Sequence, residues 1–435
     1  MPLPVIDEAA AANGDASQRR SIPLVVVWLV VVVGTLAGLQ WLGQAVMNPR
    51  AMLHLEDLDA YRIAADRVLH GIPVYDTPLH PQARTGWDFV YTPFAALLFV
   101  PLTLMHGTVF TWFGGLANFA MLTGSVWAPL SILGYRGDRR MLIVSPTAAG
   151  LLLLCEPIRS TMAFGQINIL LLLLILADTA LPDSARGKGI ATGIAAGIKL
   201  TPAFFILYLL VTRRYRAAAT AAGALLATMA IGSAMLPRDS LTFWGGTFAD
   251  SSRIGAPETF YNESLRGLLA RTFGWDSDRQ LLWAAAVLAI TVACLYLARR
   301  LSESGRELPA VVLCGLTGTV VSPFSWVHHW VWLAPLLIYL AHLVNRHRSL
   351  VAAVALLVVF VLCSGGLLLL LGVPSEGLLD LRNRGVTALI VHNAYVWLTL
   401  AALAVSAARI RARPSPHRSA PPTAPDPRPA GRDAR

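Results

Sequence analysis

Residues 19–47 read RRSIPLVVVWLVVVVGTLAGLQWLGQAVM, and residues 55–62, just beyond, read LEDLDAYR. Two arginines stand before an uncharged run from about Ser21 to Met47. As a helix that run is long enough to cross the roughly 30 Å hydrocarbon layer of a bilayer. Basic residues stay on the cytoplasmic side, so the span runs outward and delivers Glu56, Asp57 and Asp59 to the external water–lipid boundary. A carboxylate held there can act as a base on a lipid-anchored substrate. The same residues suit a second role as a solvated cap on a short amphipathic helix, and spacing alone leaves both readings open.

Composition assigns the rest of the chain to the same environment. Of 435 residues, 55% are hydrophobic and only 14% charged, with a mean hydropathy of +0.59. Soluble domains carry about 25% charge, so most of this surface faces lipid. The first apolar run exceeds the length of a signal-peptide core and lacks a small-x-small cleavage site, which marks it as a retained anchor. Cys155, Cys294, Cys314 and Cys363 lie singly in or beside apolar runs and read as small hydrophobes. The net charge of +10 is spread over short breaks between apolar runs, a pattern of membrane topology that gives no footing for nucleic acid.

Those breaks yield a topology. Arginine-rich breaks fall at 136–140, 186–188, 213–216, 299–306, 346–348 and 409–413. Treated as cytoplasmic, they leave breaks at about 47–107, 156–166, 237–280, 322–329 and 372–386 outside. The expected architecture is all-α and polytopic, with about twelve transmembrane helices, both termini inside, and interfacial helices in the first external loop. Parity requires that Tyr91–Met105, which contains Pro93 and Pro101, does not cross. The run 189–212 divides at Lys199-Leu200-Thr201-Pro202 into two short helices, tolerated only where protein or a water-filled cavity surrounds the break. The domain plan is a cytoplasmic segment 1–20, a membrane body 21–408 with main external loops at 47–107 and 237–280, and an Arg/Pro-rich tail 409–435. The tail cannot bury a core and is expected to be disordered.

The external breaks receive the residues with chemistry to offer. After Asp57 and Asp59 come Tyr61 and Arg62; the second break holds Glu156, Arg159 and Gln166; the third holds Asn262 and Arg266; the fourth holds His328 and His329. Lys188 and Lys199 are the only lysines among 35 basic residues. Lys199 persists inside an apolar run, where an unpaired charge costs several kcal/mol, so a counter-charge is expected; snorkelling to a helix end is the bland reading. Glu156 and Gln166 suit sugar hydroxyls, although a Glu156–Arg159 ion pair explains Glu156 equally well. Adjacent histidines can ligate metal, but no further ligands at diagnostic spacing accompany this pair, so no metal site is assigned. A divalent ion held by Asp57, Asp59 and a phosphate is the less favoured alternative.

In order along residues 55–335, these segments resemble the polyprenol-phosphate-mannose-dependent α-mannosyltransferases of actinobacteria, glycosyltransferase family 87 within the GT-C class. The resemblance rests on Asp57-Leu58-x-x-Tyr61, Phe89–Phe94 running into Pro101-Leu102, Glu156…Arg159…Gly165-Gln166-x-Asn168, Gly197-Ile198-Lys199-Leu200-Thr201-Pro202, Asn262-x-Ser264-Leu265, and Ser322-Pro323-x-Ser325-Trp326-x-His328-His329. Each motif is weak alone; the ordered set is specific. Three positions depart from the pattern: Val90-Tyr91-Thr92-Pro93 replaces Thr-Tyr-Pro-Pro, Glu263 a Gln, and Val327 an Asp. The resemblance implies a GT-C fold and transfer of mannose from polyprenyl-phosphate-mannose to a lipid-anchored mannoside such as a phosphatidylinositol mannoside, lipomannan or lipoarabinomannan. It implies an α-1,2 linkage, no cofactor, Asp57 as general base, and a plasma-membrane site on the external face. Substrate contacts would come from Asp59, Tyr61, Arg62, Glu156, Arg159, Gln166, Lys199, Asn262, Arg266, His328 and His329. The rival readings are a transporter or lipid-linked-sugar flippase, or an enzyme using another polyprenyl-phosphate sugar such as arabinose. No internal repeat supports transport.

Overall fold

The computed structural model describes residues 20–79, 88–364 and 390–411. The N-terminal segment up to residue 19, the tail beyond residue 411 and the expected break at 372–386 lie outside them. Among the described residues the chain is helical throughout, and the only bridge-like pairing joins Arg20 to Tyr135. Among the described residues six helices are long and apolar enough to cross a membrane, or seven if one bent pair counts as a single span. The long ones are α1 (Leu24–Met47), α4 (Gly107–Ile132), α10 (Tyr215–Met235), α13 (Ser277–Glu303), the span Val327–His347 that ends in α15 (Leu333–His347), and α17 (Ala394–Arg411). Between them lie α2 (Glu56–Leu69), α3 (Pro93–Leu98), α5 (Arg139–Leu152), α6 (Glu156–Phe164), α7 (Asn168–Ala180), α8 (Ile190–Ile198), α9 (Phe204–Val211), α11 (Pro237–Trp244), α12 (Leu265–Phe273), α14 (Glu307–Val321) and α16 (Leu350–Cys363). The chain is thus a polytopic membrane protein. Several of its apolar helices are too short to span the bilayer alone, so the count of about twelve crossings does not follow from helix length.

Lipid-facing and core-facing surfaces divide as the composition requires. Val25, Trp28, Leu29 and Leu36 on α1 are well exposed, and so are Leu281, Leu288 and Val292 on α13. Buried residues are instead concentrated on α14, which is surrounded on all sides from Leu308 to Val320. The helix α1 packs closely on α5, because a side chain at Gly34 would collide with the carbonyl of Thr147. Close backbone approach of this kind supplies the dispersion contacts that hold membrane helices together, since lipid offers no hydrophobic drive.

The two ends of the bundle differ in character. Arginine-rich turns gather at one end. Arg20 pairs with the turn after α4 (Arg20 N–H to Gly134 O, 2.9 Å; Arg136 N–H to Arg20 O, 2.7 Å), and Tyr135 meets His342 at 3.0 Å. At the same end Asp183 binds Lys188 (2.9 Å) and Arg214 (3.0 Å), while Arg214 also binds Glu307 (2.7 Å). The opposite end carries α2, α3, α6, α11 and α12, all short. The chain leaves α5 and bends by 89° into α6, so this segment turns across the bundle end. Tyr91–Met105 forms α3 and a short 3-10 turn, Val100–Leu104, and no long span. The run after Gly189 breaks at Lys199 and Leu200, between α8 and the turn Thr201–Ala203 that leads into α9, as its Lys-Leu-Thr-Pro sequence suggests.

Candidate active site

The position of Asp57 is set by the residue two before it. Leu55 adopts a left-handed backbone (φ 51°), donates its N–H to Ala163 O at 2.7 Å, and buries its side chain almost completely. A non-glycine residue held in that region costs about 1–3 kcal/mol, which the surrounding packing must offset. The packing partner is Gly165, the left-handed C-cap of α6 (φ 67°), against which Leu55 and Leu58 rest; a Cβ there would collide with Leu58. The chain therefore starts α2 directly over the end of α6, with Asp57 in its first turn. Asp57 faces Gln166, Lys199 and Glu56. Burial pushes its pKa up to about 7, while the Gln166 hydrogen bond and the Lys199 charge draw it down.

Around Asp57 the polar side chains form one connected network. Tyr61 OH and Tyr91 OH lie 2.7 Å apart, and both reach Gln166 Oε1, at 2.9 and 3.1 Å. Asn168 Nδ2 donates to His328 O at 3.0 Å and approaches Gln166 Oε1 at 3.4 Å. Lys199 Nζ donates to Asn168 Oδ1 at 3.2 Å, lies 3.1 Å from His329 Nε2, and sits 5.3 Å from the centre of the Tyr91 ring. The His328 ring is buried between Trp326 and Phe164, with no hydrogen-bond partner for its Nε2 among the described residues. Asn168, Lys199 and His329 of this network also line a cleft with about 540 Å³ of empty volume, whose other walls include Leu172, Ile175, Phe205 and Trp332 and the polar residues Thr319, Ser322 and Ser325. A cationic, hydrogen-bonding head on an apolar cleft can hold a phosphate on a long apolar chain.

Other residues singled out in the sequence lie elsewhere. Asp59 turns from Asp57 and binds Arg62 (2.6 Å), whose guanidinium also reaches His106 (3.0 Å) and lies over Phe110. Asn262 clamps loops together, giving Nδ2 to Pro257 O and Pro323 O and accepting Ser325 N–H on Oδ1. Arg266 lies over the rings of Trp275 (4.6 Å) and Trp283 (5.7 Å) and hydrogen-bonds Ser251. Glu156 and Arg159 share the first turns of α6, and Arg159 reaches back to Leu154 O at 3.4 Å. Lys199 has no carboxylate within ion-pair distance among the described residues; Asp57 is the acidic group that acts on it. Glu263 is held well above the ordinary carboxyl range by burial and by Glu156. Tyr91 and Asn168 join the site without having been singled out as binding residues; their signal was membership of the Phe89–Phe94 and Gly165–Asn168 motifs. Among the described residues no group of three or more His, Cys, Asp or Glu side chains could hold a metal ion.

Fold and site together define a polytopic membrane protein with a carboxylate, a lysine and a histidine pair gathered at one end of its bundle. The family model for glycosyltransferase family 87 matches residues 89–323, more than half of the chain. A "polyprenol-phosphate-mannose-dependent alpha-(1-2)-phosphatidylinositol mannoside mannosyltransferase" of Mycobacterium tuberculosis is 33% identical over 383 residues, 83% of this chain and 87% of the relative. The protein of the same description from Mycolicibacterium smegmatis is 32% identical over 74% of this chain and 78% of its own length. A pentamannoside mannosyltransferase of M. smegmatis is 33% identical over 72% of this chain and 75% of its length. No solved structure matches. The chain belongs to glycosyltransferase family 87 and is a membrane glycosyltransferase.

Proposed function

We propose that this protein transfers mannose from polyprenyl-phosphate-mannose to a hydroxyl of a lipid-linked mannoside, such as a phosphatidylinositol mannoside or lipomannan, with inversion and formation of an α-1,2 bond. The site faces the outside of the plasma membrane, both termini face the cytoplasm, and no metal cofactor takes part. One observation carries the reading: Asp57 and Lys199 are brought together by the Gln166–Asn168 pair, beside a cleft that Lys199 and several apolar side chains line.

The chemistry follows from that arrangement. The acceptor O–H bond breaks as its oxygen attacks the anomeric carbon, and Asp57 takes the proton. The bond from that carbon to the phosphate oxygen breaks, and polyprenyl phosphate leaves with the electron pair. Negative charge grows on the departing phosphate, where Lys199 and the His329 ring stabilise it. The leaving phosphate is acidic enough to depart unprotonated, so a single carboxylate suffices where glycoside hydrolysis needs two. The relatives' names support the mannosyl donor and the phosphatidylinositol mannoside acceptors.

The test is a transfer assay on membranes containing the full chain. Labelled polyprenyl-phospho-mannose and polyprenyl-phospho-arabinose are each offered with a panel of phosphatidylinositol mannosides and lipomannan. Label from mannose in a phosphatidylinositol mannoside or lipomannan, released by an α-1,2-specific mannosidase, is the expected result. Transfer of arabinose alone, or movement of the donor across vesicles without bond formation, would overturn the reading in favour of another donor or a flippase.

A further inference from the structure

The amide of Gln166 is oriented by its neighbours. Tyr61 and Tyr91 own two hydroxyl protons, and three contacts connect their oxygens with each other and with Gln166 Oε1, at 2.7, 2.9 and 3.1 Å. Only one proton fits between the two hydroxyls, so at least one is always donated to Oε1. Asn168 Nδ2 approaches the same oxygen at 3.4 Å, and Asn168 is itself oriented by Lys199 at its Oδ1 and the carbonyl of His328 at its Nδ2. With Oε1 committed to donors, the Nε2 amide of Gln166 is left for the Asp57 carboxylate. Gln166, Asn168, Tyr61 and Tyr91 are all buried, and Tyr61 stacks on Phe99 at 4.5 Å, so the clasp has little freedom to turn.

We propose that Gln166 is a positioning residue for the transfer reaction: locked by the Tyr61–Tyr91 clasp, its amide N–H holds one oxygen of Asp57 and leaves the other to receive the acceptor proton. The proposal rests on Asp57 being the base. Its second consequence is a link between the two halves of the site. Gln166, Asn168, Lys199 and His329 follow one another in contact, with Gln166 beside Asp57, so a phosphate seated on Lys199 would act on the carboxylate through two amides. The charged and titratable groups that face Asp57 are Glu56 on its own helix, Lys199 from the break after α8, and Tyr61 and Tyr91. A donated N–H favours the charged carboxylate, so its removal should raise the pH at which the base gains its proton.

The experiment is the pH profile of kcat/KM for mannosyl transfer by the full chain in membranes. Gln166→Met removes the amide at similar length. Gln166→Glu keeps oxygens for the tyrosines but loses the N–H and adds a charge. Both should fall about 10–100-fold at neutral pH, the range of a hydrogen bond to a charged group, and both should move the acid limb upward by about one pH unit or more. Tyr61→Phe and Tyr91→Phe each leave one hydroxyl on Oε1 and should be mild, whereas the double Phe variant should lose far more than the product of the two. An acid limb that stays at the wild-type pH in Gln166→Met would overturn the proposal, whatever the fall in rate. If that variant fails to insert, the double Phe variant decides: a loss beyond the product with a moved limb supports the clasp, and independent losses with a fixed limb overturn it. Asp57→Asn separates the two claims. If it is inactive while the Gln166 limb is unmoved, only the positioning role falls; if it is active, the base assignment and the positioning role fall together.

Discussion

Asp57 is a carboxylate whose surroundings pull its proton in opposite directions: burial raises its pKa to about 7, and Gln166 and Lys199 restrain that rise. The pKa in the unfolded chain is about 3.9, so the folded protein takes up a proton between these values. The cost of the buried charge grows as pH rises from 4 to 7 and is constant above. Asp57→Asn removes it, so thermal stability of the solubilised protein should rise at pH 8, by up to about 4 kcal/mol, and stay unchanged at pH 4; an unchanged midpoint at both would show a carboxylate without that penalty. Lys199 is the other decisive residue. Lys199→Met keeps length but removes the charge, and donor use should weaken strongly while the protein still inserts. Wild-type donor affinity and turnover in that variant would return Lys199 to a snorkelling role. Asp57, Gln166, Lys199 and the histidine pair were legible in the sequence as polar groups in breaks of apolar runs. That Asp59 faces Arg62, and Arg266 the Trp275 and Trp283 rings, was not legible: charge and loop position alone do not say which side of a turn a side chain takes.

At the scale of elements, the site depends on the junction of α2 with the end of α6. The Leu55 backbone is left-handed, Gly165 caps α6 in the same region, and the two meet side chain to backbone. Gly165→Ala meets both an unfavourable φ and the Leu58 side chain. It should cost about 1–3 kcal/mol, seen as a lower thermal midpoint, and should lower transfer more than that loss explains, because Gln166 follows directly in the chain. Near-wild-type stability and transfer would show that the junction yields freely. The break at Lys199 was readable from its Lys-Leu-Thr-Pro sequence, since Pro202 lacks the N–H that would continue the helix, and the chain extends at Lys199 before re-entering a helical turn. The right-angle turn between α5 and α6 carries a weaker signal, because Pro157 suits the first turn of a helix and does not specify its direction.

For the whole molecule, composition announced a polytopic helical protein and charge placement announced which breaks share an end. The Arg20–Arg136 and Lys188–Asp183–Arg214–Glu307 contacts join arginine-rich breaks that the sequence had grouped. The number of crossings was less legible. Helices such as α7, of 13 residues, and α14, of 15, are apolar but shorter than a bilayer, and length alone does not decide whether such a helix spans, tilts or re-enters. Orientation is open to direct labelling because the four native cysteines are buried. Cysteines placed at the exposed positions Asp66 and Tyr261 should react with an impermeant thiol reagent from outside, and one at Ser184 should not. Reversed labelling would place the site on the cytoplasmic face. Transfer turns on proton removal at that site. The most direct measurement compares Asp57→Asn and Asp59→Asn in one mannosyl-transfer assay with donor binding followed in parallel. Asn has nearly the size of Asp, but its amide cannot accept the acceptor's proton. Asp57→Asn should therefore lose about 10²–10⁴-fold in turnover with donor binding retained, while Asp59→Asn, whose carboxylate faces Arg62, should lose far less. An active Asp57→Asn, with or without a dead Asp59→Asn, would contradict the mechanism.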